Sequence, residues 1–306
     1  MKIQSVSIDV PGGCPNNCKF CVSELTKESA TGMLENKLKD IDDPWANMQY
    51  ADRLEFLRDL GVNNVILTGT ASEPVANMKF IEWFYKVNNS ISSRFKHIEL
   101  QTSGVLLNDK TLDELDTYGV KTISLSLSSL SSKLNNSISG IPEKLQFDIS
   151  QLCNKIKENG FNLRLSLNIN KAGFPDLVYD KEDERLTKLT KLGIWQYFHK
   201  FVRLGADQVT FRKLYSDDSD SPQAAWIKQN DVPDHFWSIL KKYIVDNGKP
   251  LQKLPFGAIK YSIFGLSTVI DDDCMAENNI EVLKYAILRR NCKIYSDWKD
   301  TASLIF

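Results

Sequence analysis

Cys14, Cys18 and Cys21 place three thiols within eight residues, half of the six cysteines in the chain. They stand in the run Pro11-Gly12-Gly13-Cys14-Pro15-Asn16-Asn17-Cys18-Lys19-Phe20-Cys21, directly after a segment that alternates like a strand. Three thiolates on one short loop can face a single point. Thiolate is a soft ligand that suits an iron–sulfur cluster or zinc. Structural zinc asks for a fourth ligand, usually another Cys or a His. None lies nearby, since the three histidines are His97, His199 and His235. Three ligands on a four-iron cluster leave one iron open for chemistry.

Cys-x3-Cys-x2-Cys with an aromatic residue before the last Cys resembles the cluster loop of the radical S-adenosylmethionine (radical SAM) superfamily, and Phe20 fills the aromatic place. The resemblance covers about residues 2–215. It implies one [4Fe–4S] cluster per chain on Cys14, Cys18 and Cys21, with SAM chelated to the open iron. It further implies reductive cleavage of SAM to a 5′-deoxyadenosyl radical that takes a hydrogen from substrate. An electron donor such as flavodoxin or ferredoxin is implied as a partner. The segment Thr68-Gly69-Thr70-Ala71-Ser72-Glu73-Pro74 looks like the family's glycine–glutamate motif, which holds the methionine ammonium of SAM, with Ala71-Ser72 where a second glycine is common. Gly69, Thr70 and Glu73 are therefore candidate SAM contacts. Thr102 and Ser103 stand where family members carry a Thr-Asn-Gly turn. Ser126 and Asn168 match levels at which the family binds ribose hydroxyls or the carboxylate. Phe20 is placed to stack beside adenine, and Arg164 to pair with a carboxylate of SAM or substrate.

The elements that must position these residues read as strands alternating with helices. Strands are predicted over 5–10, 65–67, 98–102, 122–127, 163–169 and 209–211. Helices are predicted over 44–60, 78–89, 109–118, 142–159 and 185–204, four of them ending at glycine, as left-handed caps favour. Such alternation makes a parallel sheet with right-handed crossovers. Most strands also alternate strictly within themselves: Leu163, Leu165, Leu167 and Ile169 interleave with Arg164, Ser166, Asn168 and Asn170. A flat parallel sheet buried on both faces shows continuous apolar runs instead. A polar side on nearly every strand predicts a curved sheet with helices outside and a wet concave face. That is α/β, and it matches the partial (β/α)6 barrel of the family.

Residues 1–215 are read as the core and residues 216–306 as a C-terminal α+β extension over the barrel mouth. In the extension, a helix is expected at 234–245, strands at 261–270 and 280–288, and a further stretch at 292–295. Substrate contacts are assigned to Arg212 and Lys213 at the end of the sixth strand and to Arg289, Arg290 and Trp298 in the extension. Cys153 falls in an apolar helical pattern and reads as core. Cys274 and Cys292 are too few for a second cluster.

The chain has 306 residues, 42% apolar and 25% charged, with a net charge of −1. That is ordinary for a globular protein and argues against a broad nucleic-acid surface. No apolar run approaches the ~20 residues that span a bilayer. The N-terminus enters a strand pattern at once, so a cytoplasmic location without membrane contact is expected. The favoured substrate is a small molecule or nucleotide. The rivals are an activase that takes hydrogen from a glycine of a protein partner, and an iron–sulfur module without turnover.

Overall fold

The computed structural model describes residues 2–22, 44–69, 72–179, 183–216, 219–254, 257–271, 282–298 and 302–306. Strands and helices alternate along the first two thirds. β1 (Lys2–Asp9), α1 (Pro44–Asp59), β2 (Asn64–Thr68), α2 (Met78–Ser90), β3 (His97–Thr102), α3 (Asp109–Thr117) and β4 (Val120–Leu127) come first. Then follow α4 (Ser132–Ile138), α5 (Ile149–Glu158), β5 (Asn162–Ile169), α6 (Glu184–Arg203) and β6 (Gln208–Lys213). The chain ends with α7 (Pro222–Asn230), α8 (Asp234–Asn247), β7 (Lys249–Lys253), β8 (Ile259–Ile263), β9 (Leu266–Asp271), β10 (Val282–Leu288) and β11 (Ile294–Tyr295). The strands form one open sheet in the order β11-β10-β1-β2-β3-β4-β5-β6-β9-β8-β7. Neighbours from β10 through β1–β6 to β9 are parallel, while β11 and the β7–β8–β9 edge are antiparallel. The architecture is a partial barrel with an unclosed sheet.

The two-residue period sorts the side chains. Val6, Ile8, Val65, Leu67, Leu100, Leu125, Leu165 and Val209 are almost wholly buried beneath the helices. Burying each is worth roughly 1.5–3 kcal/mol. The alternate positions carry Ser7, Gln101, Ser124, Arg164, Ser166, Gln208 and Thr210 on the concave side. There they line or adjoin a cavity of about 590 Å3.

Local chemistry divides what hydrophobic period alone reads as one helix over 142–159. Asp148 caps α5 by accepting from the Gln151 amide at 2.9 Å, and Ser132 accepts from the Ile149 amide at 3.0 Å. The helix therefore starts at Ile149, and residues 143–145 form a separate turn. α4 and α7 have no strong apolar period and are set by serine caps at Ser131 and Ser221. The strand expected over 261–270 is a hairpin, because Phe264 and Gly265 adopt positive φ of 51° and 83° and reverse the chain.

The segment after residue 215 is woven into the sheet at both ends. β9 continues it beyond β6, and β10 continues it beyond β1. No helix of the described residues is long and apolar enough to cross a membrane.

Candidate cluster loop and lumen cavity

The cysteine loop leaves β1 at the carboxyl end of the sheet and is tied to two neighbours through its backbone. The Asn17 amide donates to Gly140 O at 3.1 Å, and the Lys19 amide to Ile138 O at 3.1 Å, so the turn after α4 holds one side. The Glu73 amide donates to Gly13 O at 3.2 Å, Asn77 Nδ2 to Pro11 O at 2.9 Å, and Ser72 Oγ to Val10 O. Gly140 has φ +55°, and a Cβ there would stand 2.1 Å from Asn17 O. Gly69 is restricted by space alone, since a Cβ would stand 1.9 Å from Ser72 Oγ and 2.8 Å from Ser72 O. Thr70 and Ala71 lie outside the described residues.

Cys14 is exposed, and Cys18 and Cys21 are half-buried. Burial raises the Cys14 thiol, with Glu73 and Cys21 adding to the rise against a backbone hydrogen bond at Asn16. Cys18 is pushed up to about 12, first by burial and then by Cys21, Cys14 and Glu73. Negative charge on any of these groups thus opposes it on the others, the situation a bound cationic centre reverses. Among the described residues no three His, Cys, Asp or Glu side chains converge on one metal ion. The thiolates of a four-iron cluster bind three different irons and need no such convergence. Within the loop, Asn16 Nδ2 and Oδ1 are buried without a hydrogen-bond partner. Three mutually coupled thiols and an orphaned amide on a pinned loop fit a three-cysteine cluster.

Glu73 is 3% exposed. One carboxylate oxygen accepts from Thr102 Oγ1, and the other accepts from the Ser103 amide at 2.9 Å and Ser103 Oγ at 2.7 Å. Burial raises its pKa, opposed by these donors. Glu73 and the adjacent Thr102 and Ser103, 29 and 30 residues further on, thus form one unit after β2 and β3. Phe20 packs on Trp226 of α7, their ring centroids 6.0 Å apart. The cysteine loop is therefore also joined to the segment after β6.

The remaining candidates divide by strand face. Ser126 and Asn168 lie on the concave face and are partly exposed. Arg164 lies on that face, but Glu99 pairs with its Nη1 at 2.7 Å and Gln208 accepts from its Nε at 2.9 Å. The carboxylate expected for Arg164 is thus supplied from inside the protein. Arg212 lines the cavity. Lys213, one residue on, takes the opposite face, where it stands 3.3 Å from Asp234 at the start of α8. The two do not form one basic pair, because successive strand residues point to opposite faces. Arg289 lines the cavity too, yet it is 1% exposed, with Nη1 3.5 Å from Asp9 Oδ2 and Nη2 donating to Trp298 O at 2.8 Å. Arg290 Nε is 3.7 Å from the same Asp9 oxygen.

Asp9, Glu99, Gln208, Trp226 and Lys260 are site residues that pattern reading passed over. Asp9 was visible as a carboxylate in the polar phase of β1. The others depend on which strands and helices become neighbours. Cys153 is buried in α5, Cys292 is buried after β10, and Cys274 lies outside the described residues.

A parallel sheet curved around a cavity, with a three-cysteine loop at the carboxyl end of its first strand, defines an α/β partial-barrel protein. A family model, the Radical SAM superfamily, matches residues 8–194, and the chain belongs to that superfamily. SuiB of Streptococcus suis bound to the precursor peptide SuiA is similar in fold, with 16% identity over 96% of this chain and 59% of that one, at a TM-score of 0.53. SuiB bound to S-adenosylmethionine gives 14%, 97%, 60% and 0.54. anSMEcpe with bound AdoMet gives 12%, 80%, 59% and 0.51. The chain thus spans about three fifths of the length of these structures. No curated protein matches the sequence.

Proposed function

We propose that this chain is a radical SAM enzyme acting on a small molecule or nucleotide, with one [4Fe–4S] cluster on Cys14, Cys18 and Cys21. The observation that carries the reading is the meeting of the pinned thiol loop with the Glu73–Thr102–Ser103 unit beside the cavity. When bound, the cluster and SAM supply an electron and a 5′-deoxyadenosyl radical for hydrogen abstraction. Glu73 offers negative charge to the SAM ammonium, and Thr102 and Ser103 hold its carboxylate in one orientation. Gly69 lets the backbone approach the same group. Ser126 and Asn168 offer hydrogen bonds to ribose or carboxylate. The partial barrel holds the substrate carbon near the radical and keeps water away. Residues 1–215 supply the chemistry and residues 216–306 close the cavity. Flavodoxin or ferredoxin supplies the electron in a cytoplasmic setting.

A peptide or protein substrate is the second reading, favoured by fold neighbours solved with peptides, SuiB with SuiA and anSMEcpe with Cp18Cys. A glycine-abstracting activase belongs to that reading. A module without turnover is the third.

Anaerobic reconstitution followed by reduction in the presence of SAM separates these readings. About four irons per chain and release of 5′-deoxyadenosine are expected, both lost in Cys18→Ala. Full iron in that variant overturns the ligand assignment, and a loaded protein that releases no 5′-deoxyadenosine is a binding module.

A further inference from the structure

The cations around the cavity are not equivalent. Among the described residues, six basic side chains line it, Lys121, Arg164, Arg212, Lys260, Lys284 and Arg289, against the single carboxylate of Glu99, although the whole chain carries a net charge of −1. Several are already compensated. Arg164 is held by Glu99, Arg289 by Asp9, and Lys121 lies 3.5 Å from Asp116. Arg212 and Lys260 are different, since neither has a carboxylate within 4.0 Å among the described side chains, which do not include that of Asp271, the register partner of Arg212 on β9. Arg212 Nε is buried with no hydrogen-bond partner. The hydroxyls of Ser124 and Ser166, 0% and 1% exposed on the same concave face, also lack partners.

Register brings these groups to one side of the barrel. Arg212 is paired across the strands with Asn168, and Ser166 with Thr210, on the β5–β6 ladder. Thr210 in turn pairs with Val269 of β9. Lys260 precedes Tyr261, which pairs with Thr268, so its ammonium enters from the adjoining β8. Burial and the neighbouring Arg164 lower the Lys260 pKa, while Glu99 opposes the change. Partly desolvated cations facing a cavity bind an anion more strongly than the same charges in water.

We propose that Arg212 and Lys260 form an anion subsite that holds a carboxylate or phosphate group of the substrate in the barrel lumen. Assigning the anion to a substrate rests on the function proposed above; the subsite itself rests on the cavity. Arg212 presents a planar fork that suits two oxygens of one anion, and Lys260 adds a point charge from β8, two strands along the same side of the sheet.

The test titrates inorganic phosphate and, separately, succinate into the iron-free full chain and into the reconstituted chain saturated with SAM. Sodium chloride at equal ionic strength is the control, and melting temperature and calorimetry are the readouts. One or both anions should bind saturably beyond the chloride response. Phosphate alone indicates a phosphate group, and succinate alone a carboxylate. Arg212→Gln and Lys260→Gln should each weaken binding about tenfold or more, as loss of a charge-assisted contact implies. Lys249→Gln on the exposed strand β7 should leave it unchanged.

A parental response equal to chloride overturns the proposal. So does undiminished anion affinity in both Gln variants. Loss of SAM affinity in the same proportion assigns the pair to SAM and also overturns it. Where a Gln variant does not fold, Arg212→Lys or Lys260→Arg replaces it, with a weakened but measurable affinity expected and an unchanged one counting against the subsite. Iron content and 5′-deoxyadenosine release are measured alongside. Their failure with anion binding intact removes the enzyme reading and leaves the subsite standing.

Discussion

Burial resists a negative charge on Glu73. Its raised pKa reflects loss of water, and the donors from Thr102 and Ser103 offset part of that loss. Glu73→Gln retains the shape of the carboxylate and removes its charge. SAM affinity should fall about tenfold or more while iron content stays at the parental level. Equilibrium binding to the reconstituted variant checks this, and unchanged affinity would displace the SAM ammonium from Glu73.

Cys153 gives a second residue-scale prediction, with a different sign. Burial, and then Asp148, push its thiol from 9.0 to about 12. Stability from the neutral buried thiol is present below pH 9.0 and is lost as pH rises from 9.0 towards about 12, because the unfolded chain releases the proton first. Urea unfolding of the iron-free protein at about pH 8 and about pH 10 should show a smaller loss for Cys153→Ala than for the parent. Equal losses would remove Cys153 from the linkage.

At the scale of elements, the polar helix α4 and the turn behind it hold the cysteine loop. Gly140 is the point of closest approach. Gly140→Ala sets a Cβ against the Asn17 carbonyl and also forces a left-handed conformation on alanine. Gly119→Ala is the matched control, with φ +78° and nothing within 4 Å of the added Cβ. Both should lose about 1 kcal/mol or more of stability from backbone strain. Only Gly140→Ala should also lose iron on reconstitution. Equal iron in the two variants would show that the loop does not depend on the α4 turn. Phe20 illustrates the same coupling, since its ring is covered by Trp226 from an element two hundred residues away in sequence.

For the whole molecule, the two ends of the chain close on each other. β10 lies beside β1, and Arg289 and Asp9 extend that pairing just beyond the ladder. Both side chains are 1% exposed. Asp9→Asn removes the principal counter-charge of the buried guanidinium, leaving the weaker pull of Asp297, and should destabilise the protein by about 3–5 kcal/mol. Arg289→Met added to it should recover part of the loss, because the second change removes the uncompensated charge. Denaturant midpoints of the three variants check this. Additive losses would mean that the two groups do not act as a pair. The same weaving explains why removing residues 216–306 is a poor test of their role, since it exposes both edges of the sheet.

Residue order alone carried the chemistry on offer and the kind of sheet that bears it. Cysteine spacing depends on local geometry, and the two-residue period of Leu163–Ile169 depends only on which face meets helices, so both are legible in one dimension. Tertiary structure decided what each charge does. Arg164, Arg212, Lys213 and Arg289 read alike as available cations, yet Glu99, Asp234 and Asp9 occupy three of them from other strands and helices. Lys260 joins Arg212 only because β8 and β9 fold back beside β6. α4 and α7 carried little apolar period, since α4 packs against a loop and α7 joins only a small satellite cluster with Phe20, Leu214 and Tyr215 rather than the broad core face. A charge's partner is set by distance in space, and distant segments reach one another only once the sheet has ordered its strands.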